Sequence, residues 1–169
     1  MWQAKTEKVF QPEIKIFAKK VSTTQLLKYQ TMHWMHRIFF DSYPAMGVGR
    51  FVFRASFWNK PEASHLLLKV EHLSKRSLVG CESCGQCRLN ETLYICPETC
   101  PKGLANGPCG GTTLDRCEFG DRECIHSIKA RLAKAVQQTE LLKTELIPTV
   151  ALTTRQSSSW KNWYLAKEA

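Results

Sequence analysis

Eight cysteines stand between residues 81 and 124, at Cys81, Cys84, Cys87, Cys96, Cys100, Cys109, Cys117 and Cys124, and the 169-residue chain has no others. Thiols gathered this way bind metal. Cys81-x2-Cys84-x2-Cys87 sets three of them at the spacing by which ferredoxin-type runs supply ligands to a [4Fe–4S] cluster, together with a further cysteine placed before proline. Cys96 precedes Pro97 and Cys100 precedes Pro101. Proline there removes an N–H and fixes the turn beside the sulfur. Gly85, Gly107, Gly110 and Gly111 let backbone amides approach sulfurs closely. Eight thiols are what two four-thiolate sites need. One partition places Cys81, Cys84, Cys87 and either Cys96 or Cys100 on one site, with Cys109, Cys117, Cys124 and the other on the second; spacing leaves the choice open.

Zinc is the competing metal at one or both sites. Four-cysteine zinc sites usually come from two separated CxxC pairs, and here CxxC pairs occur only within 81–87. That favours iron–sulfur. Disulfides are the third reading. The start of the chain, Met1 to Lys8, has no apolar core of signal-peptide length. The expected compartment is therefore the cytosol, where thiols stay reduced.

Other chemistry is not visible. Gly47-x-Gly49 lacks the later glycine of a dinucleotide fingerprint and is expected between helices. No Ser/His/Asp order, phosphate loop or carboxylate pair presents itself, so no catalytic residue is assigned and the chain alone offers no catalytic site. His33, His36, His65 and His72 fall on expected helices away from cysteines, and His126 is expected to cap or lie exposed rather than ligate. The formal net charge is +9, divided as +8 over residues 1–80, −3 over 81–124 and +4 over 125–169. The cysteine module is thus acidic inside a basic chain, and thiolates add to that charge. This argues against nucleic-acid binding by the module. No apolar run approaches the length of a membrane span.

The elements that must hold the cysteines read as mainly α, with an irregular cysteine-rich metal-binding core and helices before and after it. Three sections of one folded unit are expected: a helical section 1–79, the cysteine module 80–124, and a C-terminal helix and docking tail 125–169. In the first, Ser22, Thr23 and Thr24 offer N-caps. Leu27, Trp34 and Ile38, with Met35 and Phe39 beside them, mark one helix face, and Asp41-Ser42-Tyr43-Pro44 stops the helix. Phe53 and Phe57 share helical spacing in a second segment. Pro61 suits a first helical position, and Leu66, Val70 and Leu73 form the next stripe, which ends near Gly80. Beyond Gly80 itself, the module holds six of the nine glycines, and it holds three of the seven prolines, with little apolar periodicity. Such backbone is organised by metal rather than by a core. Ile125, Ile128, Leu132 and Val136, then Leu142 and Leu146, predict a helix over 125–146 that ends before Pro148. The tail Ser157–Tyr164 carries two tryptophans and a tyrosine and is expected to dock, on the chain's own core before a partner.

With these residues in view, a resemblance appears. Cys81-x2-Cys84-Gly85-Gln86-Cys87, Cys96-Pro97-x2-Cys100-Pro101-Lys102, Asn106-Gly107-Pro108-Cys109-Gly110-Gly111, Cys117-Glu118 and Cys124 resemble the C-terminal domain family of methylenetetrahydrofolate reductase. The likeness extends to His36–Asp41, Glu71-His72-Leu73-Ser74-Lys75, Arg131-Leu132 and Ser158-Ser159-Trp160-x-Asn162, so it spans roughly residues 30–165. Ala105 and His126 depart from the family pattern of arginine and tryptophan. The resemblance implies a small subunit with two [4Fe–4S] clusters, partnered by a flavin-containing reductase that makes 5-methyltetrahydrofolate. It also implies a ferredoxin or other electron donor. The alternative it leaves is a structural zinc subunit that docks and stabilises the reductase.

Overall fold

Ser22 accepts a hydrogen bond from the Thr24 amide at 3.3 Å, and its own amide donates to Gln25 Oε1 at 3.1 Å. This reciprocal box starts helix α1, Thr23–His36, where the cap residues predict it. The computed structural model describes residues 20–166, apart from 108, 114 and 145. The expectation for Met1–Lys8 lies outside the described residues, as does the structure of the helical section before residue 20.

A π-helical turn, Arg37–Asp41, follows α1, and the chain breaks at Ser42, which is extended with ψ 135°. Helix α2, Tyr43–Arg54, begins there with Pro44 in its first turn, where a missing N–H costs nothing. The Tyr43-Pro44 pair is therefore a start as well as a stop. It follows that Gly47 and Gly49 lie inside a helix, not between two. Gly49 has a packing reason: a Cβ there would sit 2.3 Å from the Tyr164 ring. Phe53 lies on α2, whereas Phe57 lies in a short 3-10 turn, Ser56–Asn59. Helix α3, Pro61–Val79, runs from its proline to a left-handed Gly80.

The cysteine module connects α3 to helix α4, Ile125–Ala135. Two 3-10 turns, Asn90–Thr92 and Pro97–Thr99, interrupt it. Among the described residues there is no strand; Thr113, Arg116 and Glu123 form only isolated bridges. The fold is mainly helical around an irregular centre. That centre is less core-poor than its composition suggests. Leu89, Leu93 and Tyr94 join Tyr29 of α1, Cys96, and Leu132 and Ala133 of α4 in the main buried cluster. Left-handed backbone at Leu93 (φ 55°) and Tyr94 (φ 60°) turns these side chains inward. No periodicity announces a core contribution made by a turn.

Helix α4 is shorter than its apolar pattern. It ends at Val136, where Gln137 turns left-handed at φ 57°, the Gln138 amide reaches Ala133 O at 2.8 Å and the Gln137 amide reaches Lys134 O at 3.3 Å. These are the two bonds of a Schellman ending, made without the usual glycine. Residues 141–144 form only one further turn, α5. The tail does dock: α6, Ser159–Ala166, packs on α2. Tyr164 stacks on Phe40 and Phe53 and donates to Phe39 O at 2.6 Å.

The expected apolar stripes face the other way. Trp34 is 65% exposed and Leu73 is 78% exposed, and Leu27, Ile38, Leu66 and Val70 are exposed with them. On α1 it is Tyr29, with Leu26 and Met32, that packs inward. Helical spacing marks a face without saying what covers it.

Leu132→Ala is expected to cost about 2–5 kcal/mol in chemical denaturation, since Leu132 is only 3% exposed in the central cluster. Leu73→Ala, on the uncovered stripe, is expected to stay within about 0.5 kcal/mol of the parent.

Candidate metal centre

The cysteines separate by position into two groups of four. Cys81, Cys84, Cys87 and Cys96 line one cavity. Cys100, Cys109, Cys117 and Cys124 line another. The two proline-preceding cysteines are thus divided: Cys96 goes with the CxxCxxC run and Cys100 with the later three. All eight are free thiols, and no disulfide joins them.

The first cavity sits between the end of α3 and the first turn of α6. Burial pushes the Cys96 thiol up to about 12, and the nearby Cys81, Cys84 and Cys87 push in the same direction against the Glu98 amide. Burial likewise raises Cys81, although the Ser83 amide at 3.5 Å from its sulfur and the charge of Lys75 oppose it. Backbone clamps fix the loop. His72 Nε2 lies 3.0 Å from Cys81 O. Thr154 Oγ1 donates to Cys84 O at 3.1 Å, the Gln156 amide to Ser83 O at 2.9 Å, and Asn162 Nδ2 to Gly85 O at 2.8 Å. Gly85 is required at this seam. Its φ is +78°, and a Cβ would meet the Thr154 carbonyl oxygen at 1.9 Å. Its freedom thus admits the tail rather than a sulfur.

Behind the cavity lies a buried carboxylate. Glu71, 3% exposed, accepts from Lys75 Nζ at 2.8 Å, from Ser158 Oγ at 2.7 Å, and from the Ser159 hydroxyl. Burial alone would raise its carboxyl; the Lys75 charge and these hydrogen bonds outweigh that and hold it below its ordinary value. Arg88, also buried, donates to Glu98 Oε1 and to Pro148 O, both at 2.5 Å, and Glu98 takes a second arginine, Arg155, at 2.8 Å. These contacts tie the module to the segment after α5.

The second cavity is organised by the start of α4. Cys124 is the N-cap residue. Burial raises its thiol, but Thr112 Oγ1, donating at 3.2 Å, and the Ser127 and His126 amides lower it overall. A helix N-terminus stabilises a thiolate in this way. Arg131 of α4 pairs with Asp115 at 3.2 Å and Glu123 at 2.5 Å, so the loop that carries Cys117 and Cys124 is held to the helix. Asn106 makes two bonds to the Ile147 backbone, at 3.0 and 2.8 Å. His126 lines this cavity, yet its Nε2 lies 2.9 Å from Leu104 O, in keeping with a bracing role.

Soft sulfur donors, four to a cavity with amide and hydroxyl donors on some of the sulfurs, suit zinc or an iron–sulfur group. Among the described residues no three His, Cys, Asp or Glu side chains are gathered closely enough to hold a single metal ion. Sequence reasoning missed the burial of the Glu71–Lys75–Ser159 triad, because a Glu and a Lys four apart on a helix read as an ordinary surface pair.

The first cavity also meets a cleft of about 90 Å³. The cleft is lined by Met32, Met35, Phe40, Leu78, Trp160 and Trp163, with Lys75 and Cys87 in the shared wall. No helix among the described residues is long and apolar enough to cross a membrane. A family model described as methylene-tetrahydrofolate reductase C terminal matches residues 60–152. No curated protein and no solved structure matches the chain.

Gly85→Ala is expected to release the tail from the first cysteine loop, which limited proteolysis after residue 150 detects as faster cleavage. Glu71 predicts the acid limb of stability. Its folded carboxyl titrates below the ordinary 4.5, so its contribution is complete above about pH 4.5 and is lost as pH falls through the folded value. Denaturation of Glu71→Gln from pH 7 to pH 3 should show lower stability at neutral pH and a shallower acid loss.

Proposed function

This chain belongs to the methylene-tetrahydrofolate reductase C-terminal family, and from that membership we propose that it is the electron-relay subunit of a methylenetetrahydrofolate reductase, with an iron–sulfur cluster in each cysteine cavity. The observation that carries the proposal is the division of eight thiols into two cavities of four. Two [4Fe–4S] groups, when bound, supply one-electron carriage, a task for which no acid–base residues are needed. The first would be held by Cys81, Cys84, Cys87 and Cys96, the second by Cys100, Cys109, Cys117 and Cys124. Cys81, Cys84 and Cys87 stand at ferredoxin-type spacing, and CxxC pairs occur nowhere else in the chain, which favours iron–sulfur over a zinc site built from two separated pairs.

The chain's own residues prepare both ends of such a relay. Cys87 lies in the wall between the first cavity and the largely apolar cleft, so the cleft offers an apolar approach to that site. The partner is a flavin-bearing reductase, and the exposed stripes of α1 and α3 are the surface offered to it. Trp34, Ile38, Leu66, Val70 and Leu73 form apolar area that is exposed among the described residues. The basic charge of residues 1–80 suits an acidic rim on that partner.

The relay is tested by anaerobic mixing of the reduced chain with the oxidised flavoprotein. Loss of flavin absorbance in step with oxidation of the chain is expected; a flavin that stays oxidised contradicts the reading. Leu73→Asp should weaken the complex at least tenfold in calorimetric titration, about 1.4 kcal/mol, while leaving the denaturation midpoint unchanged.

A further inference from the structure

We propose that Lys75 sets the reduction potential of the first cysteine cavity, holding it above the value the same four sulfurs would have without a buried cation. The inference rests on the cluster reading above. Its basis is placement. Lys75 is 8% exposed on the inner side of α3 and lines the first cavity and the apolar cleft together. Two of its three N–H bonds go to Glu71 Oε1 and Ser159 Oγ, both at 2.8 Å. Among the described residues no hydrogen-bond acceptor takes the third. The ammonium stands 5.5 Å from the Trp160 ring centroid, a second contact that keeps it cationic and in place.

A cation in this position does more than satisfy Glu71. Glu71 and Lys75 both line the cavity that holds the four sulfurs. The Glu71 carboxylate also takes Ser158, Ser159 and the Trp160 amide from the tail, which leaves Lys75 as the cation beside it. Lys75 therefore places a buried positive charge in the wall of the first cavity. Adding an electron to a thiolate-bound group increases its negative charge, and a nearby cation in a low-dielectric wall favours that state. Arg88, which also lines the cavity, is engaged by Glu98 and Pro148 O. The cations lining the second cavity, Lys102 and Arg122, are exposed and paired with Glu118 and Asp121, where water and salt screen them. The buried ammonium thus biases electrons toward the first cavity, the one that opens on the cleft.

The test is an EPR-monitored redox titration of the full chain, purified anaerobically, with the first-site signal identified as the one lost in Cys96→Ser. Lys75→Met should lower the first-site potential so that its one-electron reduction constant falls at least tenfold, or 59 mV. Lys75→Arg should retain most of the parent value. Glu71→Gln removes the opposing charge and should move the same potential upward. A bracing role alone would not give opposite signs for two partners of one hydrogen bond. Unmoved potentials, or shifts of the same sign in Lys75→Met and Glu71→Gln, overturn the inference. If Lys75→Met does not fold, Glu71→Gln decides: a rise supports it, and no shift or a fall overturns it. Parent protein without iron and sulfide overturns the cluster reading and this inference together, an outcome distinct from a fully loaded parent whose potential ignores Lys75.

Discussion

A carboxylate buried to 3% exposure must be satisfied almost completely, and Glu71 is satisfied by groups that lie far apart in the chain. Lys75 comes from its own helix. Ser158, Ser159 and the Trp160 amide come from the tail, more than eighty residues later. A buried charge is tolerated only when it is paired and hydrogen-bonded, so the tail can cover Glu71 only with its three donors in place, and they fix the start of α6 against α3. The first cysteine loop emerges from α3 and is covered by that same tail segment. Its carbonyls at Ser83, Cys84 and Gly85 are bonded by Gln156, Thr154 and Asn162. The geometry of the first four thiols therefore depends on a polar lock behind them.

The second four depend on a different device. Cys124 sits at the N-terminus of α4, whose amides face its sulfur, while Arg131 two turns further along ties Asp115 and Glu123 to the same helix. One site is buried behind a lysine, and the other lies near the surface with a helix end behind it. Two donor sets of like composition thereby acquire unlike surroundings, and surroundings are what separate the potentials of chemically identical groups.

Much of this was legible in the residues. The cap at Ser22, Pro61 at the head of α3, the mainly helical plan and the family all follow from local patterns. So does the grouping of Cys81, Cys84 and Cys87, although the split of Cys96 from Cys100 does not. Other features escaped for identifiable reasons. The Tyr43-Pro44 pair both ends one helix and begins the next, which hid Gly47 and Gly49 inside α2. Gln137 closes α4 in a left-handed turn that glycine usually marks. The stripes of Trp34 and Leu73 have helical spacing yet face outward, because periodicity records amphipathicity and not which apolar surface does the covering. Glu71 and Lys75 look like an ordinary i,i+4 surface pair until the tail is folded over them.

Two four-sulfur metal sites, divided as the cavities divide the eight thiols, have a composition that can be measured. Iron, sulfide and zinc analysis of anaerobically purified chain, beside Cys96→Ser and Cys117→Ser, tests it most directly. Two [4Fe–4S] groups predict about eight iron and eight sulfide per chain, with about half lost in each variant. A colourless protein with stoichiometric zinc and no iron would contradict it.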